Sequence, residues 1–234
     1  MVSCVKIIVS IIKNLRIRVK MKDIAIFGAG GFGREIACLI NMINHGKSIW
    51  NLIGFYDDDS SLWGHDLGYG KVLGGIDALN SRKEPFSVVV AIGVPQTVKS
   101  VIEKIKNTLV DFPNIIAPSV TFLDKDSVKM GKGNIICSSC LLSCDVSMGD
   151  FNVLNGFIPV GHDTVIGNYN VIMPSTNISG GVIIGNENFL GVKSTVLQYV
   201  IIGNNVRVGA GSVVMRNTKD GNLYMGNPAT KVKL

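Results

Sequence analysis

The sequence predicts two structural units, an α/β domain followed by a parallel β-solenoid. The 234 residues suffice for one or two domains with buried cores. From residue 130 onward an aliphatic side chain recurs at every sixth position, a period that fits neither an α-helix nor a flat strand. Before the repeat, apolar strand-like runs alternate with helical stretches, which is typical of a parallel sheet.

The repeat is unbroken over fifteen positions. In a parallel β-helix, short strands form the faces and the recurring aliphatic side chain points inward onto its counterpart one coil away. Glycine often follows the aliphatic residue, and we expect these glycines to allow the corners. A β-helix is therefore predicted for residues 116–234, with no inserted loop between 130 and 214. The recurring positions are Met130, Ile136, Leu142, Met148, Leu154, Val160, Ile166, Ile172, Ile178, Ile184, Leu190, Val196, Ile202, Val208 and Val214.

Residues 21–115 predict a small Rossmann-like domain. A strand over residues 22–27 leads into a Gly-x-Gly-x-x-Gly loop at 28–33 and then a helix. Further strands are expected over 52–56, which ends in three aspartates, and over 88–92. Glycines permit close approach of a ligand, and a helix N-terminus offers free N–H groups to an anion. The pattern favours nucleotide binding without selecting NAD, and a tight turn without a ligand stays open.

Composition and charge exclude several classes of protein. Hydrophobic residues make up 47% of the chain and charged residues 17%, which is too apolar for disorder. Polar interruptions throughout the chain also argue against a multi-span membrane protein. The formal net charge of +6 comes from the two ends of the chain, while the body is close to neutral. No broad basic face for nucleic acid is predicted.

Residues 1–20 differ in composition from the rest of the chain. They combine a short apolar run with five basic and no acidic side chains. The segment lacks a signal-peptide cleavage site and is too short and too charged to span a bilayer, so no stable membrane insertion is predicted. We expect a non-native or disordered extension that the fold does not need, with a weak amphipathic surface segment as the alternative.

The chain has five cysteines, an odd number that favours a reducing, cytoplasmic compartment. Cys137, Cys140 and Cys144 include a Cys-x-x-Cys spacing. However, no fourth cysteine and no histidine lies nearby, and the six-residue period places the three at different phases of a coil. No metal site is predicted.

His162 is the only histidine in the repeat, two residues beyond the inward Val160. Its side chain should therefore lie outside the stacked core. Asp163 follows directly, and an adjacent carboxylate can orient an imidazole or raise its basicity. An isolated surface histidine is usually inert, so from these residues alone both interpretations stay open.

A six-residue repeat behind a glycine-loop domain resembles the bacterial sugar O/N-acyltransferases of the PglD/NeuD type. The resemblance covers essentially residues 21–234. It is carried by five segments: the glycine loop, Phe-Tyr-Asp-Asp at 55–58, Ala-Ile-Gly at 91–93, Gly-His-Asp-Thr-Val-Ile-Gly at 161–167 and Gly-Asn-Pro-Ala at 226–229. It implies a left-handed β-helix and an acetyltransferase that uses acetyl-CoA. It further implies a nucleotide-linked amino sugar or sialic acid as acceptor, and a homotrimer with the coenzyme between subunits.

The resemblance also assigns roles to residues. His162 would be the general base and Asp163 would orient it, with Asn155 close to the acceptor sugar. The backbone N–H of Gly180 would face the thioester carbonyl. The implied nucleotide-binding residues are Gly28, Gly30, Gly31, Asp57, Asp58, Ile92 and Gly93. The implied coenzyme-binding residues, besides Gly180, are Gly191, Val192, Gly209 and Ala210.

Two positions depart from the family pattern, which often has histidine where this chain has Phe32 and Val171. Contacts to the sugar and to the coenzyme are therefore expected to differ there. The sequence leaves open whether an amine or a hydroxyl is acetylated, so a sialic acid or other sugar O-acetyltransferase is the alternative. Further alternatives are an NAD-binding oxidoreductase and a non-catalytic β-helix scaffold.

Overall fold

The computed structural model describes residues 21–232, and the predictions for residues 1–20 lie outside this range. The first unit is a parallel sheet of four strands in the order β2-β1-β3-β4. Its strands are β1 (Lys22–Phe27), β2 (Trp50–Tyr56), β3 (Phe86–Val90) and β4 (Val110–Asp111). The sequence predicted three of them, because a strand of two residues carries no apolar run that would signal it.

Three helices connect these strands. They are α1 (Gly31–Gly46), α2 (Ile76–Ser81) and α3 (Pro95–Lys104), and a 3₁₀ turn covers Ser60–Leu62. Helix α1 buries Ile36, Ala37, Leu39 and Ile40, a spacing of three and four residues that forms one apolar face. This face packs with β1 in a single hydrophobic cluster.

The second unit is a parallel β-helix with three faces built from two-residue strands. Face A consists of Lys129–Met130, Ser147–Met148, Val165–Ile166, Ile183–Ile184 and Ile201–Ile202. Face B consists of Ile115–Ile116, Ile135–Ile136, Val153–Leu154, Val171–Ile172, Phe189–Leu190 and Arg207–Val208, and a hairpin of Leu223–Gly226 and Ala229–Val232 extends it. Face C consists of Thr121–Phe122, Leu141–Leu142, Pro159–Val160, Asn177–Ile178, Thr195–Val196 and Val213–Val214.

The β-helix begins before the unbroken period does. Ile115 pairs with Ile135, so a first coil precedes Met130. Residues 123–128 separate the face C strand of that coil from its face A strand and are too many for the six-residue spacing. The sheet of the first unit ends at Asp111 and the β-helix starts at Ile115, against a division predicted after residue 115.

The predicted inward positions are confirmed. Every recurring aliphatic residue from Ile136 to Val214 is at most 4% exposed, and Met130 at the open end is half-buried. Each fully buried aliphatic side chain stabilises the fold by roughly 1.5–3 kcal/mol. The core of the β-helix is thus one continuous column of these side chains.

The predicted role of the corner glycines is wrong. The backbone turns through the left-handed region at the third residue after every aliphatic position from Met130 to Val208, and this residue is often not glycine: Phe151 has φ 55° and Tyr169 has φ 57°. The glycines directly after the aliphatic residue have ordinary φ values. A Cβ on Gly161 would lie 2.6 Å from the carbonyl carbon of Ser179 in the next coil. These glycines are therefore needed for close approach of adjacent coils.

A ladder of buried asparagines lies between faces A and B, and the sequence patterns above did not reveal it. Asn134, Asn152, Asn170 and Asn188 are 18 residues apart and fully buried. The side-chain amide of Asn170, for example, donates to Asn152 Oδ1 at 2.9 Å. The spacing of one full coil was the available signal.

The α/β domain packs on face B. Ile24 and Val89 share one hydrophobic cluster with Val153 and Val171, which point outward from face B. Face A is uncovered by comparison, because its outward side chains Val165, Ile183 and Ile201 are 43–45% exposed. None of the helices in the described range is long and apolar enough to cross a membrane.

Candidate active site

The three corners of the β-helix differ in how they use one backbone N–H. Each corner has four residues, and we name the corners A–B, B–C and C–A after the faces they join. At the A–B corner the N–H of the second residue donates to a side-chain oxygen one coil further on; Asn168 N–H, for example, lies 2.8 Å from Asn186 Oδ1. At the C–A corner the second residues of successive coils are His162, Gly180 and Gln198. Their backbone N–H groups have no partner among residues 21–232. The same is true of Val192 at the B–C corner. Two corners therefore present free donors to a ligand.

His162 lies at the C–A corner, just after the face C strand Pro159–Val160. Its Nδ1 is 2.7 Å from Asp163 Oδ2, and both side chains are more than half exposed. Asp163 takes the left-handed conformation with φ 56°, which Asp tolerates better than most residues. The carboxylate thus holds one ring nitrogen and leaves Nε2 for another group.

Gly180 lies directly against the imidazole. A Cβ at this position would be 2.5 Å from His162 Nε2 and 2.7 Å from Cε1. A larger residue would therefore displace the ring. The free N–H of Gly180 and the imidazole of His162 consequently share one surface, although the two residues are 18 apart in sequence.

The remaining candidates for coenzyme binding lie elsewhere. Gly191, Val192, Gly209 and Ala210 occupy the B–C corner, which face C separates from His162. A Cβ on Gly191 would be 2.6 Å from Ala210 N, so the first glycine is needed for coil packing. A single protomer therefore does not bring these residues to the histidine.

Asn155 also lies at the B–C corner. It lines a cavity of about 290 Å³ between α1 and the β-helix, together with Leu39, Met42, Phe157 and Pro174. Most of this lining is apolar. The structure thus places Asn155 beside the α/β domain and on a different corner from His162.

The glycine loop contains two kinds of glycine. Gly28 has φ 114°, and a Cβ there would lie 2.6 Å from the carbonyl oxygen of Ala91. It is thus required by the packing of the loop on the end of β3. Gly30 and Gly31 face open space at the start of α1. Gly93 is exposed in the same way after β3. These three lie where the strand order reverses between β1 and β3, the place at which open parallel sheets bind ligands.

The carboxylates of Asp57 and Asp58 hold loops of the α/β domain. Asp57 Oδ2 accepts the N–H of Ala29 at 2.8 Å, and Asp58 Oδ1 accepts the N–H of Ile76 at 3.0 Å. Both stand at the end of β2, beside the glycine loop. Ile92 completes this edge, because its side chain lies beside Gly28.

The two positions that depart from the family pattern are part of the contact between the domains. Val171 is 1% exposed in the interdomain cluster, and the half-buried Phe32 packs against the same cluster. Both side chains are thus used in domain packing, and neither takes over a ligand contact from the histidine that the family often has there.

The three neighbouring cysteines lie in different environments. Cys140 points into the β-helix, whereas Cys144 is at the C–A corner. Burial raises the pKa of Cys137 to about 12. Within residues 21–232 no group of three or more His, Cys, Asp or Glu side chains is placed to hold a metal ion.

The family comparison agrees with the glycine-loop domain. Residues 23–105 match the family model described as the PglD N-terminal domain. A comparison with curated protein sequences finds no match.

Solved structures resemble nearly the whole chain. The acetyltransferase domain of PglB from Neisseria gonorrhoeae FA1090, in complex with acetyl coenzyme A, is 27% identical, covers 91% of this chain and 100% of its own, and has a TM-score of 0.82. PerB from Caulobacter crescentus, in complex with CoA and GDP-perosamine, is 27% identical and covers 90% of this chain and 97% of its own with a TM-score of 0.78. WeeI from Acinetobacter baumannii AYE is 26% identical, with coverage of 91% and 100% and a TM-score of 0.81.

The chain thus resembles the PglD-type hexapeptide-repeat acyltransferases over nearly its whole length, and its residues 23–105 match the model of their N-terminal domain. The predicted fold, a small Rossmann-like domain followed by a left-handed β-helix, is confirmed. The predicted enzyme class is also confirmed, whereas an oxidoreductase and a non-catalytic scaffold are not supported. The individual residue roles and the homotrimer stay predictions.

Proposed function

We propose that this protein transfers the acetyl group of acetyl-CoA to the amino group of a nucleotide-linked amino sugar. One observation carries the proposal: the imidazole of His162, held by Asp163 at 2.7 Å, lies against a glycine whose backbone N–H is free. A proton acceptor and an oxyanion donor are the two groups that acyl transfer from a thioester needs. The solved complexes of PglB with acetyl coenzyme A and of PerB with CoA and GDP-perosamine support the choice of donor and acceptor.

The proposed reaction is a direct transfer. His162 Nε2 takes a proton from the sugar amine while the amine nitrogen attacks the thioester carbonyl carbon. Asp163 accepts the Nδ1–H of His162, which fixes the tautomer and stabilises the imidazolium. The N–H of Gly180 donates to the oxyanion that develops. The C–S bond then breaks, and the thiolate of CoA takes the proton from the imidazolium. No acyl-enzyme is formed.

We place the coenzyme between subunits of a homotrimer. The free N–H groups of Val192 and Ala210 are on the B–C corner, while His162 and Gly180 are on the C–A corner. Contact between the B–C corner of one protomer and the C–A corner of the next would join the two sets. Light scattering should show a trimer at micromolar concentration, and a stable monomer would contradict this arrangement.

We place the nucleotide in the α/β domain. The N–H groups at Gly30 and Gly31 and the exposed backbone at Gly93 border the crevice after β1 and β3. Asp57 and Asp58 adjoin this crevice. Both oxygens of Asp57 order the loops, since Oδ2 accepts the N–H of Ala29 and Oδ1 accepts the N–H of Asp59, whereas Asp58 uses only Oδ1, for the N–H of Ile76. We propose that Asp58 Oδ2 contacts the base or the ribose and that Asp57 holds the loop that borders the nucleotide.

The decisive experiment supplies acetyl-CoA with a panel of acceptors and measures the release of free thiol. The panel contains UDP-, GDP- and dTDP-linked 4-amino sugars and sialic acid. We expect thiol release with a nucleotide-linked amino sugar and a product heavier by one acetyl group on nitrogen. Transfer to sialic acid alone would identify a hydroxyl acceptor, and no transfer to any acceptor would refute the proposed function.

A further inference from the structure

A small cavity lies between the two domains, beside the end of β3. Its volume is about 60 Å³, which is too little for a nucleoside. The cavity is lined by Gly93, Val94, Pro95, Gln96, Phe189 and Arg207. The α/β domain contributes the loop and the first turn of α3, and face B contributes the other two side chains. The cavity therefore adjoins the proposed nucleotide crevice from the side of the β-helix.

Arg207 is a cation without a counter-charge at this cavity. Its guanidinium carbon lies 5.6 Å from the ring centroid of Phe189, which supports the side chain from below. No carboxylate of residues 21–232 is within 4.0 Å of it. Glu187, which faces α3 from the neighbouring A–B corner, is already paired with Lys99 at 2.7 Å. The positive charge of Arg207 is thus available to an anion.

We propose that Arg207 binds the diphosphate of the nucleotide-linked substrate. The inference rests on the proposed function and extends it, because it places a substrate-binding residue on the β-helix, outside the nucleotide-binding domain. A guanidinium offers two parallel N–H donors that match a pair of phosphate oxygens, and the stacked Phe189 restricts its orientation. Gly93 opposite has no side chain within the crevice, so a phosphate can approach the backbone closely.

The position of Arg207 also explains how the substrate would link the two domains. A diphosphate held here has the nucleoside on the side of the α/β domain and the sugar on the side of the β-helix. CoA contains a diphosphate as well, and Arg207 is only two residues before Gly209, a predicted coenzyme-binding residue. The experiment therefore has to distinguish the diphosphate of the nucleotide-linked sugar from that of CoA.

The test compares wild-type protein with Arg207→Gln and Arg207→Lys. The control is Lys129→Gln, which removes a charge from an exposed outward position on face A, away from the α/β domain. Dissociation constants are measured by calorimetry for UDP, GDP and dTDP, for the corresponding nucleosides, and for CoA. We expect Arg207→Gln to weaken binding of the preferred diphosphate by about 10- to 100-fold, the usual loss for a hydrogen bond to a charged group. The same variant should bind the nucleoside and CoA as tightly as wild type does. The dissociation constant of Arg207→Lys for the diphosphate should lie between those of wild type and Arg207→Gln, and the control should match wild type.

Two outcomes overturn the inference. In one, wild type and Arg207→Gln bind the nucleoside diphosphate more tightly than the nucleoside by the same factor. The other is a weakening confined to CoA, which would assign Arg207 to the coenzyme. The KM for the nucleotide-linked amino sugar separates this inference from the proposed function. Transfer with an unchanged KM in Arg207→Gln refutes the inference alone. Arg207-dependent diphosphate binding without any transfer refutes the proposed function alone.

Discussion

The A–B and C–A corners of the β-helix have the same backbone and opposite chemistry. In both, the third residue is left-handed, as in Phe151 and Asp163. At the A–B corner, asparagine and aspartate side chains take up the backbone N–H groups, and buried Asn170 bonds its neighbours one coil away. At the C–A corner, the N–H groups of His162 and Gly180 have no partner within residues 21–232, and both side chains of the His162–Asp163 pair face solvent.

The difference shows how one scaffold divides stability and function. Saturating every polar group at a corner makes it rigid and leaves nothing for a ligand, because a buried donor without a partner is costly. A corner exposed to solvent can leave its donors free, since water serves them until a ligand binds. Of the two corners compared, the one with free N–H groups also holds the imidazole. Three experiments test this division, and a fourth tests whether the α/β domain stays packed on face B.

The largest effect is expected at His162. His162→Ala should lower kcat by roughly 10²–10⁴, the range for losing a positioned proton acceptor. The measurement is kcat from the release of free thiol with saturating acetyl-CoA. His45→Ala, at the exposed end of α1, is the matched control, and full activity of folded His162→Ala would refute the role.

A smaller loss is expected at Gly180. The Cβ of Gly180→Ala would lie 2.5 Å from His162 Nε2 and push the ring from its place. A displacement of about 1 Å in a catalytic group can lower kcat by about 10²-fold. Gly46→Ala, which adds a methyl group in open space at the end of α1, should leave kcat unchanged. Equal kcat in both variants, measured by thiol release, would show that the imidazole does not depend on this glycine.

The opposite result is expected at the A–B corner, where stability should change and kcat should not. Asn170→Ala leaves buried partners without hydrogen bonds, among them the carbonyl of Gly185 and the N–H of Asn188. The free energy of unfolding should fall by at least about 1–3 kcal/mol. Denaturant unfolding measures this loss against Asn177→Ala, an exposed asparagine on face C. A fall in kcat of the folded variant as large as that of Gly180→Ala would break the distinction between the corners.

The smallest effect concerns the protection of Cys137 by the α/β domain, which packs on face B. At pH 8 a thiol with a pKa of about 12, such as Cys137, is ionised to only about one part in 10⁴. Exposed Cys38 should therefore be alkylated by iodoacetamide in the native enzyme, while Cys137 should react only after unfolding. Peptide mapping by mass spectrometry measures both. Equal labelling in the native state would mean that the α/β domain does not stay on face B.

The β-helix was predictable because its information is local. One aliphatic residue in six, from Ile136 to Val214, is enough to identify the inward positions, and all of them are buried. The glycine loop was recognisable for the same reason, because Gly28 and Gly33 are needed within one short strand-loop-helix unit. The pair of His162 and Asp163 was also visible, since the two are adjacent in sequence.

The α/β domain was less predictable. Strand β4 consists of Val110–Asp111 and exists through pairing with β3, which no pattern within two residues can signal. The role of the corner glycines was misassigned. The six-residue period shows that glycine recurs at the position of Gly161, but it does not show which atoms of the next coil a Cβ there would contact. The asparagine ladder required comparison of positions one full coil apart.

The sequence by itself thus determined the inward residues of the β-helix, the glycine loop and the candidate histidine, because each depends on side chains close together in the chain. Only the tertiary structure decided which backbone N–H groups stay free, because that depends on the coil above and not on the residue itself. It also decided that the α/β domain covers Val171 and leaves Arg207 facing Gly93. These contacts join residues far apart in sequence, and burial and charge compensation there are properties of the packed domains.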